Sequence, residues 1–167
     1  METKIRKEET KDIKQVREIL RAAFPTDEES RLVDALRANG KAVISLVAVR
    51  AEQVLGHILF SPVSTTPPGE AKGIGLAPVA VHPDVQSQGI GSRLIHEGLR
   101  LCEELGYDYC VVLGDPKYYQ RFGFEKAGTF GLQNEYGVDD EFMIIGFSGD
   151  TVQGLVRYAP EFAMFSV

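Results

Sequence analysis

Two glycines one residue apart stand where a predicted strand passes into a predicted helix. The stretch from Val81 reads VHPDVQSQGIGSRLI and contains the spacing Gln86-x-x-Gly89-x-Gly91. Free backbone N–H groups at a helix N-terminus bind anions, and glycine lets a phosphate approach them because no side chain intervenes. Ile90, between the glycines, can turn inward and anchor the turn. The spacing suits a pyrophosphate held by backbone donors, and a simple tight turn would give the same letters.

The first half of the chain predicts a weak edge strand, two helices and an antiparallel meander. Helical spacing begins at Thr10, and Thr26-Asp27-Glu28-Glu29 has the pattern of a capping box that opens the second helix. Three β-rich runs then follow one another, and Ala51-Glu52-Gln53 predicts a hairpin between the first two. The predicted strands are residues 3–7, 42–50, 54–63 and 74–81.

The glycine stretch lies inside a strand–helix–strand crossover. GSRLIHEGLRLCEELG places apolar residues along one broad face and ends at Gly106, which predicts a long helix. A short apolar strand over residues 109–113 follows, so the strands on either side of the helix should be parallel and connected right-handedly. A helical turn at 116–121 and strands around 124–130, 141–147 and 153–158 complete the prediction. The expected fold is α/β, a mixed and mostly antiparallel sheet with one central parallel crossover, flanked by helices.

Length, charge and hydropathy limit the classes of protein to which this chain can belong. A chain of 167 residues with 44% hydrophobic residues can form one compact core, so we expect a single domain over residues 1–167. The net charge of −6 disfavours a nucleic-acid surface, which needs clustered Lys and Arg. The longest apolar runs fall short of the ~20 residues of a membrane span, and the N-terminus is too polar for a signal peptide. Cys102 and Cys110 lack metal-ligand spacing, so buried thiols in a reducing cytoplasm, without a metal, are expected.

Two stretches together resemble a known family. LAPVAVHPDVQSQGIGSRLI, residues 76–95, resembles the acetyl-coenzyme A signature of the GNAT N-acetyltransferases: Gln or Arg, two residues, Gly, one residue, then Gly or Ala. GDPKYYQRFGFE is similar to the segment that carries the family's tyrosine and the Gly-Phe of its next strand. With SLVAV and VLGHILFSPV upstream, these indicate the bacterial YhbS-like branch of predicted acetyltransferases. The element order fits the GNAT acyl-CoA N-acyltransferase fold over nearly the whole chain.

The resemblance implies acetyl-CoA as the co-substrate and no metal. The residues that would cradle its pyrophosphate are Gln86, Ser87, Gln88, Gly89, Ile90, Gly91 and Ser92. The residues that would lie along its pantetheine arm, paired with it as another strand would be, are Val79, Ala80 and Val81. Pro78 cannot donate to a ladder, so a local break in pairing is expected there. Many family members carry an Asn late in the following strand, and residues 111–115 of this chain offer none, which leaves that contact open.

The resemblance also implies direct transfer of acetyl to a primary amine in a ternary complex. An amine of pKa ~10.4 is almost wholly protonated at pH 7, a handicap of ~4.6 kcal/mol that a base or desolvation must offset. Tyr119 matches the family's tyrosine and would donate to the departing thiolate, with Tyr118 as the alternative. Glu29 lies near the two-helix junction that borders the family's acceptor site and is the candidate base, with helix capping as the alternative. For His57 a hydrogen-bonded core histidine is expected.

The chain is therefore expected to be a cytoplasmic, acetyl-CoA-dependent N-acetyltransferase. Its partner would be a small-molecule amine or a peptide or protein amine, with no nucleic acid and no membrane, and it would be a monomer or a homodimer. Two alternatives stay open. One is a sensor that binds acyl-CoA without turning it over, and the other is an acyltransferase with a different acyl group or acceptor.

Overall fold

Strands dominate the chain in the computed structural model, which describes residues 2–149 and 152–164. Within those ranges the strands β1 to β9 are Lys4–Lys7, Ile44–Arg50, Gln53–Thr66, Gly73–Val81, Tyr109–Leu113, Glu125–Lys126, Leu132–Asn134, Phe142–Gly146 and Gly154–Arg157. The helices α1 to α4 are Ile13–Ala23, Glu28–Ala38, Ile90–Glu104 and Pro116–Tyr119. Short 3₁₀ turns are formed by Thr10–Asp12, Pro83–Val85, Gln120–Phe122, Ala127–Phe130 and Pro160–Met164.

The chain folds as two compact units. The first unit contains residues 2–60, 77–98 and 160–164. The second unit contains residues 61–76, 99–149 and 152–159. Because β3, β4 and α3 each run from one range into the other, these three elements contribute residues to both units.

The first unit contains three antiparallel strands, of which β2 and β3 are joined by a tight hairpin. β1 pairs with β2, and β2 pairs with β3 as far as Arg50 opposite Gln53. Ala51 and Glu52 form the turn with φ values of 51° and 65°, so Gln53, expected in the turn, belongs to the strand. Helix α3 approaches β3 closely through Gly98, where a Cβ atom would lie 2.2 Å from the Phe60 ring.

In the second unit, the crossover strands pair in parallel. β4 joins β5 through Gly73 with Tyr109, Ile74 with Cys110, and Gly75 with Val111. β5 pairs antiparallel with β8, which also pairs with β6, and β9 pairs antiparallel with β3. The mixed, mostly antiparallel sheet with one central parallel crossover and flanking helices confirms the predicted fold class.

Two features of the second unit differ from the sequence prediction. The strand expected over residues 124–130 is only Glu125–Lys126, because the chain then bends into the 3₁₀ turn Ala127–Phe130. Gly131 closes this turn with a φ of 79° and an N–H bond to the Gly128 carbonyl. A short strand, β7, was not expected, and it pairs in parallel with β9.

A buried polar network joins the end of β1, α2, β2 and β3 in the first unit. The Arg37 guanidinium donates to both carboxylate oxygens of Glu8, at 2.9 and 2.6 Å. His57 is fully buried, and its Nε2 atom lies 2.8 Å from Ser45 Oγ and 3.5 Å from Glu8 Oε2. His57 is therefore a hydrogen-bonded core histidine, as expected. Burial, and to a smaller extent the charge of Arg37, lower the pKa of His57 to about 3.

Acid should weaken the fold through His57. The pKa of His57 is about 3 in the folded protein, against an ordinary value near 6.5. Between these two values the unfolded chain therefore binds a proton at His57 and the folded protein does not. The stability that depends on a neutral His57 is complete above pH 6.5 and is lost progressively as the pH falls toward 3. Between pH 7 and pH 5 we expect a loss of about 2 kcal/mol from this residue.

The measurement is urea unfolding at pH 7 and pH 5 for the wild type and for His57→Gln, whose amide can still hydrogen-bond Ser45. The variant should lose about 2 kcal/mol less free energy of unfolding over that interval. The same pH dependence in both proteins would contradict the assignment.

Candidate active site

The last residues of β4 expose alternate peptide groups. His82 N–H donates to the Leu55 carbonyl on β3 at 2.8 Å. Because neighbouring residues of a strand direct their peptide groups to opposite edges, Ala80 also faces β3, and Val79 and Val81 face away from it. The backbone groups of Val79 and the Val81 N–H can therefore pair with an extended ligand, while the backbone groups of Ala80 are directed to β3 and the Val81 carbonyl accepts from the Gln86 side chain.

The turn between β4 and α3 is tied to the end of the strand. The Gln86 side-chain amide donates to the Val81 carbonyl at 3.1 Å. Ser87 and Gly89 have φ values of 63° and 82°, a left-handed conformation that glycine adopts without steric cost. Ile90 opens α3, and its side chain is buried, so it anchors the turn in the way the sequence predicts.

The N-terminus of α3 has the properties that an anion requires. The first intrahelical hydrogen bond is that of Arg93 N–H to the Gly89 carbonyl, at 3.1 Å. The N–H groups of Ile90, Gly91 and Ser92 precede it, at the positive end of a 15-residue helix. A Cβ atom built at Gly89 would meet no atom within 4 Å, so the approach there is open. These residues fit a phosphate group held by backbone donors.

Tyr119 belongs to the second unit and is packed tightly. Helix α4 begins after Asp115, whose carboxylate accepts from Lys117 N–H at 3.0 Å. The Tyr119 ring lies against Gly114, where a Cβ atom would be 2.3 Å away, and meets Phe124 edge-on at 5.7 Å. Gly114 is thus needed for this ring position.

The two adjacent tyrosines have different surroundings. Tyr119 is buried, whereas Tyr118 is half-buried and has the Arg121 guanidinium 5.4 Å from its ring centre. Burial raises the pKa of Tyr119 to about 12, with smaller contributions from Tyr118 and Cys110. At neutral pH the Tyr119 phenol therefore keeps its proton and can act as a hydrogen-bond donor.

Glu29 lies in the first turn of α2, in the first unit, and the capping box expected around it is wrong. The helix begins one residue later than the box requires, with Asp27 as the N-cap, so Ser30 and not Glu29 takes the third helical position. Thr26 Oγ1 accepts from Glu28 N–H at 3.2 Å instead. Glu29 Oε1 is buried and accepts no hydrogen bond from the residues described. Capping does not account for this carboxylate, and its role as a base stays a prediction.

The candidate residues divide between the two units. The ten cofactor candidates and Glu29 lie in the first unit, and Tyr119 lies in the second. Sequence reasoning missed a cavity of about 440 Å³ in the second unit, because Phe130 in its wall belongs to a 3₁₀ turn that the sequence predicts as a strand.

Residues 2–149 and 152–164 contain neither a cluster of metal ligands nor a membrane-spanning helix. No group of three or more His, Cys, Asp or Glu side chains there could hold a metal ion. No helix in those ranges combines the length and the apolar character that crossing a bilayer requires.

Known sequences are similar to this chain along most of its length. The family profile described as "Acetyltransferase (GNAT) domain" matches residues 4–127. The uncharacterised N-acetyltransferase YhbS of Escherichia coli K12 is 39% identical over 153 residues, which is 88% of this chain and 90% of YhbS. The uncharacterised N-acetyltransferase YjhQ of the same strain is 34% identical over 134 residues, covering 78% of this chain and 74% of YjhQ.

Solved structures are similar as well. The crystal structure of Escherichia coli YhbS in complex with CoA matches with a TM-score of 0.92 at 36% identity, covering 99% of this chain and 94% of that one. A GNAT family acetyltransferase from Brucella melitensis, solved with acetyl-CoA, matches with a TM-score of 0.83 at 39% identity, covering 96% and 98% of the two chains.

Proposed function

This chain belongs to the GNAT family of acetyltransferases, and on that premise we propose that it transfers acetyl from acetyl-CoA to a primary amine by direct attack in a ternary complex. The observation that carries the proposal is the open, glycine-lined N-terminus of α3, which a turn over residues 82–89 connects to a strand with outward-facing peptide groups. The CoA and acetyl-CoA complexes of the two similar structures support the choice of co-substrate. The whole of residues 1–167 would act as one domain.

The proposed cofactor site uses backbone groups more than side chains. Val79 and Val81 would pair with the pantetheine arm through their outward peptide groups, while Ala80 would contribute its small side chain. The backbone from Gln86 to Ser92 would hold the pyrophosphate, with the first amides of α3 as donors. The bond from the Gln86 amide to the Val81 carbonyl would keep the turn next to the strand end.

The chemistry requires three tasks of the chain. Glu29 would accept the proton of the attacking amine, a role that its buried, unpartnered Oε1 atom leaves open to it. A strand N–H near Val81 would donate to the oxyanion. Tyr119 would donate to the departing sulfur of acetyl-CoA, which supplies the thioester that the amine attacks.

The raised pKa of Tyr119 favours a hydrogen bond to the departing sulfur over complete transfer of the phenol proton. Moving a proton from a phenol of pKa about 12 to a thiolate of pKa ~8.5 is uphill by ~5 kcal/mol. A hydrogen bond that keeps the proton on the phenol avoids this cost and still stabilises the negative sulfur. We therefore assign Tyr119 as a hydrogen-bond donor, with the thiolate taking its proton elsewhere.

The remaining expectations are part of the same proposal. Cys102 and Cys110 are both buried free thiols, in keeping with a reducing cytoplasm. The acceptor would be a small-molecule, peptide or protein amine, and the protein would act as a monomer or a homodimer without a nucleic-acid or membrane partner.

One experiment tests the proposed function. Acetyl-CoA binding is measured by calorimetry, and release of free thiol is followed with a panel of amines and peptides. Saturable binding with amine-dependent thiol release is expected. Saturable binding without thiol release across the panel would contradict the transferase and favour an acyl-CoA sensor, and absence of binding would contradict both.

Gly89→Glu should abolish CoA binding while the protein stays folded. The substitution introduces a carboxylate where the phosphates are proposed to lie, and the site has space for it. Gly40→Glu is the matched control, because Gly40 also has a positive φ, of 71°, and open space around it, outside the proposed site. Each change should cost about 1 kcal/mol of stability through left-handed strain. If calorimetry gave both variants the same affinity for CoA, the turn-only interpretation of the glycines would be correct.

Tyr119→Phe should slow acetyl transfer by roughly 10- to 100-fold with near-normal CoA affinity, because the ring packing stays and only the donor is lost. The readouts are kcat from thiol release and Kd for CoA. Tyr118→Phe is the control and should retain wild-type kcat. The reverse result, with Tyr118→Phe slow and Tyr119→Phe fully active, would transfer the role to Tyr118.

Glu29→Gln should lower kcat/KM by roughly 100-fold near pH 7. The deficit should shrink as the pH approaches the ~10.4 of the amine, because solution then supplies the neutral form. Glu28→Gln, in the same helical turn, should behave like the wild type. A deficit of equal size at every pH would indicate a structural role for Glu29.

A further inference from the structure

A cavity of about 440 Å³ opens on one face of the sheet in the second unit. It combines a buried apolar floor with acidic side chains and an exposed aromatic ring. The lining residues that matter here are Asp108, Tyr109, Glu125, Phe130, Leu132 and Ile144.

Strand register explains why these residues meet. Val111 pairs with Ile144 on β8, and Ile144 pairs with Glu125 on β6, so the three side chains share a face. Tyr109 lies two residues before Val111 and therefore also belongs to that face. Cys110 points to the opposite face, where its thiol hydrogen-bonds Cys102 of α3. The cavity thus lies on the face of β5 away from α3.

The Glu125 carboxylate is not neutralised by the lysine next to it in sequence. Lys126, adjacent to Glu125, has its ammonium group 3.4 Å from Asp139 and 3.0 Å from Asp140. Asp108 is held at the cavity wall by a hydrogen bond that its Oδ2 atom accepts from Lys72 N–H at 2.6 Å.

The exposed ring of Phe130 is the second sign of a ligand. This side chain is 51% exposed, although neighbouring Leu132 and Ile144 are buried. A phenyl face attracts an ammonium ion by about 0.5–2 kcal/mol, depending on desolvation, and a carboxylate attracts it as well. A ring and a carboxylate at the mouth of an apolar cavity match a molecule with a cationic head and an apolar body.

We propose that this cavity binds an organic ammonium ion that carries an apolar body. Charge complementarity selects the cationic group. The floor formed by Leu132 and Ile144 selects a carbon skeleton over a hydrated metal ion.

The probe for this site is 2-phenylethylammonium, with 2-phenylethanol and 3-phenylpropionate as the neutral and anionic comparisons. Binding to the full chain is followed by NMR titration in the presence of saturating CoA. The ammonium compound should bind about tenfold or more tightly than either comparison compound, because neither the alcohol nor the carboxylate carries the positive charge that Glu125 attracts. Equal affinities for the three compounds would overturn the proposal.

Three variants locate the binding. Glu125→Gln should weaken binding of the probe about tenfold, and Phe130→Leu, which keeps the apolar surface but removes the ring face, by a few-fold. Glu103→Gln changes the net charge equally from the exposed surface of α3 and should leave the affinity unchanged. An unchanged affinity in Glu125→Gln, or a loss as large in Glu103→Gln, would overturn the proposal.

The same samples separate this proposal from the proposed function. CoA affinity is measured by calorimetry, and thiol release is measured with the panel of amines. If CoA binds and thiol is released but Glu125→Gln leaves the affinity for the probe unchanged, the ammonium site fails and the transferase stands. If the probe binds through Glu125 while CoA does not bind, the transferase fails and the ammonium site stands.

Discussion

The hydrogen bonding of β4 is the constraint on which the rest of the structure depends. One edge of this strand is occupied by β3, and its parallel ladder with β5 joins only the first three residues, Gly73 to Gly75. Beyond the ladder, the peptide groups of Val79 and the Val81 N–H face away from β3, and the Val81 carbonyl on this side accepts from the Gln86 side chain. Backbone groups in a folded protein need partners, so a strand that leaves its ladder early calls for another extended chain along that edge. The proposed pantetheine pairing follows from this need.

The glycines of β4 show why the ladder begins where it does. A Cβ atom at Gly73 would lie 2.2 Å from the Tyr109 ring, and one at Gly75 would lie 2.8 Å from Tyr158. Two large rings can therefore lie directly over the start of the strand only because these positions have no side chain. The two tyrosine rings fill the space beside the ladder. The residues from Leu76 to Val81 all carry side chains, so the rings do not exclude a Cβ atom there.

Local signals predicted the parts of the fold that depend on neighbours in sequence. The hairpin at Ala51 and Glu52, the amphipathic α3 and the glycine turn before it are of this kind, and the element order they give agrees with the fold of the family that the sequence resembles. One error came from a contact between residues far apart in sequence, because β7 exists where β9 runs beside it. Another is local: Thr26 Oγ1 accepts from Glu28 N–H and α2 begins one residue later than expected, which moves Glu29 out of its expected cap. The cavity beside Glu125 and Phe130 depends on the register of three strands, which no single stretch of sequence contains.

Binding an amine and acetylating it place opposite demands on one nitrogen atom. A carboxylate that attracts the cation stabilises the protonated form and so raises the pKa of the bound amine, which makes the neutral nucleophile scarcer than the ~4.6 kcal/mol handicap in water already does. The group that recognises the charge therefore cannot also be the group that removes the proton. A transferase that selects its acceptor by charge needs a second, separate base. A buried carboxylate oxygen without a hydrogen-bond donor, as in Glu29, is better suited to that task than an exposed one, because nothing competes for its lone pair.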